Sequence, residues 1–148
     1  MTSDLNLGAL PPVELRAAVL AQAAALADTL PARAAEMEAL RHLPDDLADE
    51  LARRGLLRLL TPASIGGLEV PMAVFFETIE RIARGDASTA WCTFISCTAS
   101  VLAAYLPKDV AAQAFGSPTA RAAGVFAPRG RAVAAVQDGV AGYRVDGR

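Results

Sequence analysis

PMAVFFETIERIARG, Pro71 to Gly85, runs directly into DASTAWCTFISCTASVLAAYLP, Asp86 to Pro107, and this pair of segments decides the fold. In the first, Phe75, Phe76, Ile79, Ile82 and Ala83 recur at helical spacing, which predicts one inward-facing stripe. Glu77 and Glu80 stand four residues before Arg81 and Arg84, the favourable order for helix ion pairs worth about 0.2–0.5 kcal/mol each. Both arginines fall in the last turn, where cations suit the helix dipole. Gly85 then fits the left-handed turn that ends many helices, and Asp86 fits the N-cap of the next one.

From Ala87 to Pro107 no residue is charged, and a helix without a solvated side must be enclosed. Ser88, Thr89, Thr93, Ser96, Thr98 and Ser100 argue for protein rather than lipid around it, and no basic flank precedes it apart from the paired Arg81 and Arg84. The expectation is the central helix of a soluble helical domain, with one side lining a pocket.

Upstream, Leu15, Val19, Ala23, Leu26 and Leu30 form a helical stripe that Pro31 interrupts, because proline removes an amide donor and clashes with the preceding turn. Ala34, Met37 and Leu40 continue the apolar face, with Glu14, Arg16, Asp28, Arg33, Glu36 and Glu38 solvated. His42, the only histidine, lacks an orienting partner nearby and reads as structural. Pro44 at the first helical position, Asp45 and Asp46 in the first turn, Arg53 and Arg54 in the last and Gly55 beyond define a short helix. Its Leu47, Ala48 and Leu51 face the core. Leu56 to Leu60 forms a buried connector, and Gly66-Gly67 a turn without the strand and Lys-Ser/Thr context of a phosphate cradle.

Downstream, Pro107 to Phe115 predicts another helix, stopped by Gly116-Ser117-Pro118. Ala122 to Phe126, Ala132 to Val136 and Tyr143 to Val145 then read as strands, with Asp138-Gly139 as turn residues. The division expected is a helical domain over 1–117 and the start of a β-domain over 118–148. Three strands make a poor sheet with unpaired edges, so the sequence reads as cut short.

The 148 residues suffice for one substantial core, and 53% hydrophobic content with 20% charge excludes a disordered chain. A net charge of −2 with both signs interspersed gives no footprint for nucleic acid or an anionic membrane. Arg121, Arg129 and Arg131 read as solvated loop cations. Cys92 and Cys97, five apart on one helix, point about 140° from each other and cannot pair. Free thiols, an N-terminus with an acid at Asp4 and no basic region before an apolar run, and no zinc-ligand spacing make a cytoplasmic location the expectation.

Four segments in order carry a family resemblance: LPDDLADELARRGLLRLLTPASIGG (43–67), the helix bearing Glu77 and Glu80, GDASTAW (85–91), and AGVFAPRGRA with GYRVDGR (123–132 and 142–148). Together they resemble the acyl-CoA dehydrogenase superfamily of flavoproteins. The resemblance implies a mainly α fold, an orthogonal helical bundle of that family's N-terminal type, followed by the first strands of an incomplete middle β-domain. It implies FAD, an acyl thioester oxidised at a CH–CH bond, and these helices as one wall of the substrate and flavin cavity. The carboxylate base belongs to the family's C-terminal portion, so no residue of this chain is expected to be catalytic and the chain alone is expected to be inactive. The full-length form is expected to be a homo-oligomer acting on a small molecule, without nucleic acid or membrane partners.

The superfamily's monooxygenase branch, which hydroxylates aromatic rings with reduced FMN or FAD as co-substrate and oxygen, is the alternative, and STAW (88–91), FAPRGRA (126–132) and GYRVDGR resemble it at least as closely. Two polar positions of its phenol hydroxylases are replaced here by Ala99 and Val125, which removes hydrogen bonds that would orient a phenol. Trp91 reads either as core or, by the resemblance, as approaching flavin and substrate. The backbone of Val125, Phe126, Ala127, Pro128 and Gly130 is implied to begin the flavin contact. Asp86 reads as a cap. A third reading is a non-catalytic helical module that docks on partners through its uncovered face.

Overall fold

The computed structural model describes residues 6–124 and 129–147. Six helices occur in order among them: α1 (Pro12–Ala27), α2 (Ala34–Leu40), α3 (Asp45–Arg53), α4 (Met72–Gly85), α5 (Ala87–Ser100) and α6 (Lys108–Phe115). Two strands, β1 (Arg131–Gln137) and β2 (Val140–Asp146), follow. This is the mainly α architecture, helices first and strands last, that the sequence implies.

The core is built from the α1 stripe, Leu47 and Leu51 of α3, Leu56 and Leu59 of the connector, and Phe75 and Ile82 of α4. α4 packs on both α1 and α5. The break at Pro31 is present as a short 3-10 turn, Leu30–Arg33, before α2. Pro44 is the cap before α3 rather than its first residue, a shift of one position. Connector and turn are pinned by Leu68 and Val70 amides donating to the carbonyls of Arg58 and Leu59 at 3.0 and 2.8 Å. Gly67 is required there, because a Cβ would lie 1.9 Å from the Thr61 carbonyl oxygen.

The inward face of α4 is rotated from the expected one. Val74, Phe75, Thr78 and Ile82 are buried, whereas Phe76 (55% exposed) and Ala83 lie outside. Phe76 is not wasted, since its ring leans on Phe75 with centroids 5.4 Å apart. Likewise only Met37 of the expected α2 face is buried, and Ala34 and Leu40 are exposed, because a helix of two turns presents one residue squarely to its neighbours. The two ion pairs form as read, Glu77 with Arg81 at 3.0 Å and Glu80 with Arg84 at 2.6 Å, and Glu77 also takes Arg16 of α1 at 2.7 Å.

Gly85 does not adopt a left-handed conformation; it is the last helical residue of α4. Its need for hydrogen in place of a side chain comes from crowding between two helices of the chain: a Cβ would lie 2.4 Å from the Ala27 carbonyl oxygen of α1. Asp86 caps α5 as expected, accepting the Thr89 amide at 2.6 Å.

The charge-free segment is helical to Ser100 and then tightens into a 3-10 turn over Val101–Tyr105. By length and composition Ala87–Tyr105 would suffice to cross a membrane. It is not enclosed all round. Thr89, Thr93, Ser96, Cys97 and Ser100 are buried, while Trp91, Leu102 and Tyr105 are 64%, 60% and 82% exposed. The hydroxyl side packs inward because its donors are satisfied locally: Thr93 donates to the Thr89 carbonyl at 2.8 Å and Ser100 to the Cys97 carbonyl at 2.7 Å. Thr61 of the connector donates to Ser100 at 3.1 Å, tying α5 to the core.

The strands form an antiparallel hairpin closed by Asp138-Gly139, both with positive φ (52° and 80°), the two-residue turn whose twist suits a hairpin. Register pairs Ala132 with Val145, Ala134 with Tyr143 and Val136 with Ala141, so one face is wholly apolar, and both faces are exposed. The expected strand from Ala122 is not formed over Ala122–Gly124; Val125 and Phe126 lie outside the described residues.

On intrinsic propensity Gly85→Ala would stabilise α4 by about 1 kcal/mol. The contact with Ala27 reverses the sign, and urea unfolding should show a loss of roughly 1–3 kcal/mol from overpacking. A gain in stability would contradict the close approach of α1 and α4.

Candidate functional site

The chain has a cleft of about 260 Å³ whose walls come from three parts of the fold. Leu51 of α3 and Leu57 of the connector form its base, Trp91, Ile95 and Ser96 of α5 one wall, and residues 121–123 the other. Helical spacing explains the α5 wall: positions 91 and 95 are one turn apart, and the buried hydroxyl side lies behind them. The indole of Trp91 stacks on Phe94, centroids 5.9 Å apart and planes 15° apart, leaving its other side to the exterior. Trp91 is therefore a rim residue of a cleft and not a core residue.

The cleft's polar groups are few. Arg121 is not a free loop cation; it stands at the mouth in an ion pair with Asp49 of α3. Cys92 is exposed at the edge, and its thiol is pushed up by partial burial and by the Asp86 carboxylate. Ser96 is buried and accepts the Ala122 amide at 3.3 Å, which fixes the second wall to α5. A more polar hollow adjoins at Leu43 and Cys92, lined by Met37, Arg41, His42 and Asp86. His42 bonds only the neighbouring Leu43 carbonyl at 2.9 Å, consistent with a structural role. Glu77 and Glu80 lie away from the cleft, held in ion pairs on the outer side of α4.

Sequence reading missed Arg58. It is 8% exposed, inside the apolar run Leu56 to Leu60, and no carboxylate pairs with it among the described residues. Its Nη2 donates to the carbonyls of Ile65 at 3.1 Å, Gly116 at 3.4 Å and Phe115 at 3.5 Å, so it serves the C-terminal end of α6. Its Nε is buried without a partner among the described residues, and burial holds the guanidinium below its ordinary pKa. A lone cation within five otherwise apolar positions was the available signal.

Of the residues implied to meet flavin, Trp91 is placed at the cleft rim and Gly130 lies exposed before β1; Val125, Phe126, Ala127 and Pro128 lie outside the described residues. At Gly130 an added Cβ would meet only the Asp146 carbonyl oxygen at 4.0 Å, so nothing described in this chain demands glycine there. The described residues fit the ring system of a flavin or of an aromatic substrate, through the bare indole and the apolar cleft. Among them no group of three or more His, Cys, Asp or Glu is arranged to hold a metal.

With the helical order and the cleft established, the chain's class is defined. Residues 14–122 match the family model described as acyl-CoA dehydrogenase, N-terminal domain, and the chain belongs to that family. Among the relatives it matches are proteins named as monooxygenases or hydroxylases. It is 35% identical over 119 residues to indole-3-acetate monooxygenase of Pseudomonas putida, covering 79% of this chain and 29% of that protein. It is 34% identical over 124 residues to the flavin-dependent monooxygenase oxygenase subunit HsaA of Rhodococcus jostii, covering 83% and 31%. It is 34% identical over 104 residues to the oxygenase component of p-hydroxyphenylacetate 3-hydroxylase of Acinetobacter baumannii, covering 70% and 24%. The chain thus spans less than a third of the length of these relatives. Acyl thioester oxidation, the first expectation, is not what these names describe; the aromatic alternative is closer to them.

The two thiols give a direct check on the orientation of α5. Cys97 is fully buried, donates to the Leu56 carbonyl at 3.3 Å, and burial pushes its pKa up to about 12. In the native protein iodoacetamide should label Cys92 and spare Cys97 until denaturant is added. The unfolded chain releases the Cys97 proton near the thiol's ordinary value of 9.0 while the folded protein keeps it to about 12. The stabilisation is complete below pH 9 and declines between the two values, a slope that Cys97→Ala should flatten in thermal melts.

Proposed function

We propose that this chain is the helical wall of an aromatic-ring monooxygenase that uses reduced FMN or FAD with dioxygen. The observation that carries the reading is the short apolar cleft beneath the exposed Trp91, bounded by Leu51, Leu57 and Ile95. A volume of about 260 Å³ suits a small flat ring system, and the lining favours apolar surface over charge. The names of the relatives support the same choice over an acyl thioester.

Reduced flavin, when bound, supplies the electrons that activate dioxygen for insertion of one oxygen atom into the ring. The chain's own residues bind and orient. Trp91 offers its open indole plane to a second ring, Leu51, Leu57 and Ile95 exclude water from the substrate's apolar body, and the Ser96–Ala122 bond holds the two walls together. Contacts from Val125 to Pro128 and Gly130 remain part of the proposal, as do a division near residue 117, homo-oligomerisation and a cytoplasmic location.

Two measurements check the reading. Trp91 is the only tryptophan, so saturable quenching of its emission by FMN or FAD is expected, weakened about tenfold in Trp91→Leu when the same binding is followed by flavin absorbance. The enzyme containing this chain, given reduced flavin and ¹⁸O-labelled dioxygen, should place the label in a hydroxylated aromatic product. Bleaching of its flavin by an acyl-CoA without oxygen would contradict the proposal and restore the dehydrogenase reading.

A further inference from the structure

Helix α5 buries four hydroxyls, and three of them have committed their protons. Thr89 donates to the Met37 sulfur at 3.5 Å, Thr93 to the Thr89 carbonyl at 2.8 Å and Ser100 to the Cys97 carbonyl at 2.7 Å. Ser96, 5% exposed, donates to nothing among the described residues. Its oxygen accepts one bond, from the Ala122 amide. A serine hydroxyl has one proton to give and two acceptor positions, so the proton and one acceptor position remain.

Ser96 also lies on the boundary between two spaces. On one side is the apolar cleft already described; on the other is a void of about 10 Å³ lined by Arg58, Thr61, Ser100 and Phe115. That volume is about the room one water requires. The void is lined by Arg58, whose buried Nε has no partner among the described residues. An uncommitted hydroxyl therefore stands between a ring-sized apolar space and a buried cation that no carboxylate among the described residues neutralises.

We infer that Ser96 is the polar handle of the cleft, donating its hydroxyl proton to an oxygen carried by an aromatic ligand, with Arg58 behind it as a positioning residue acting through one water. In this arrangement the Arg58 Nε–H donates to the water, the water donates to Ser96 Oγ, and Ser96 donates to the ligand. Every hydroxyl position is then used, and the cation's field favours a ligand oxygen that carries negative charge. The ligand class is a small aromatic ring bearing a phenolic or similarly placed oxygen. The inference rests on the aromatic reading of the cleft.

The test compares 4-nitrophenol with 4-nitrotoluene, which replaces the hydroxyl by a methyl of similar size. Both quench tryptophan, so Trp91 reports their dissociation constants on the chain without flavin or oxygen. Above the pH at which the phenol ionises, the wild-type chain should bind 4-nitrophenol roughly tenfold more tightly than 4-nitrotoluene. Ser96→Ala should bring the two within about twofold of each other, the ratio being the readout because loss of the Ala122 bond acts on both compounds alike. The absorbance of bound 4-nitrophenol should show ionisation at lower pH than in free solution, a shift that Ser96→Ala reduces. Arg58→Met should also reduce it while 4-nitrotoluene still binds, an outcome that a purely structural arginine would not produce. Equal affinity of the wild-type chain for both compounds, or a preference that survives Ser96→Ala, overturns the assignment of Ser96 and leaves the aromatic cleft standing. Absence of saturable quenching by either compound overturns both.

Discussion

A helix that turns its hydroxyls inward must bond each of them, and α5 does so largely with its own backbone. Thr93 and Thr98 donate one turn back along the helix, to Thr89 and Phe94, and Ser100 donates to Cys97. Small side chains on that face let the helix approach α4 and the Leu56–Leu60 connector, and the Cys97 thiol reaches the Leu56 carbonyl at 3.3 Å. The larger apolar groups are displaced outward, Trp91, Leu102 and Tyr105 among them. The cleft follows from this arrangement: its wall is the apolar side that α5 does not bury.

The approach of neighbouring helices is set by the same use of small residues. Gly85 admits the Ala27 carbonyl of α1, and Asp86 immediately restarts the chain as the cap of α5. Two adjacent residues thus fix both the spacing of α1 against α4 and the direction of α5. Arg58 adds a third constraint by gripping the end of α6, from which the chain continues past Ala120 and Ala122 along the cleft. On the hairpin, the face carrying Ala134, Val136, Tyr143 and Val145 is as bare as the α5 wall, and both present apolar area of the kind that marks contact surfaces.

Much of this was legible in the sequence. Charged residues make a helix's phase readable, so α4, its ion pairs and the Asp86 cap follow from spacing, as does the Asp138-Gly139 turn from its residue types. α5 carries no charge and offers no such phase signal, so enclosure all round was the expectation from its residues, and which side is buried, the hydroxyl one, is visible only in the fold. The inward stripe of α4 was misplaced at Phe76 and Ala83 because Thr78, a polar residue, belongs to the buried face, donating to the Val74 carbonyl at 2.7 Å. Gly85 was understood as a residue of special backbone conformation, whereas a partner helix required it. Arg58 and Ser96 were not distinguishable as site residues, because their significance lies in the contacts and unused donors of the folded chain.

The central claim is that α5 buries its hydroxyl side and leaves its aromatic side outward, and hydroxyl-radical footprinting of the native chain with residue-level mass spectrometry tests it most directly. Trp91 and Tyr105 should be oxidised rapidly, while Phe75 and Cys97 are spared until the chain is unfolded, in keeping with their burial. Protection of Trp91 together with oxidation of Cys97 in the native state would mean that the helix faces the other way, and the cleft and its Ser96 handle would not exist.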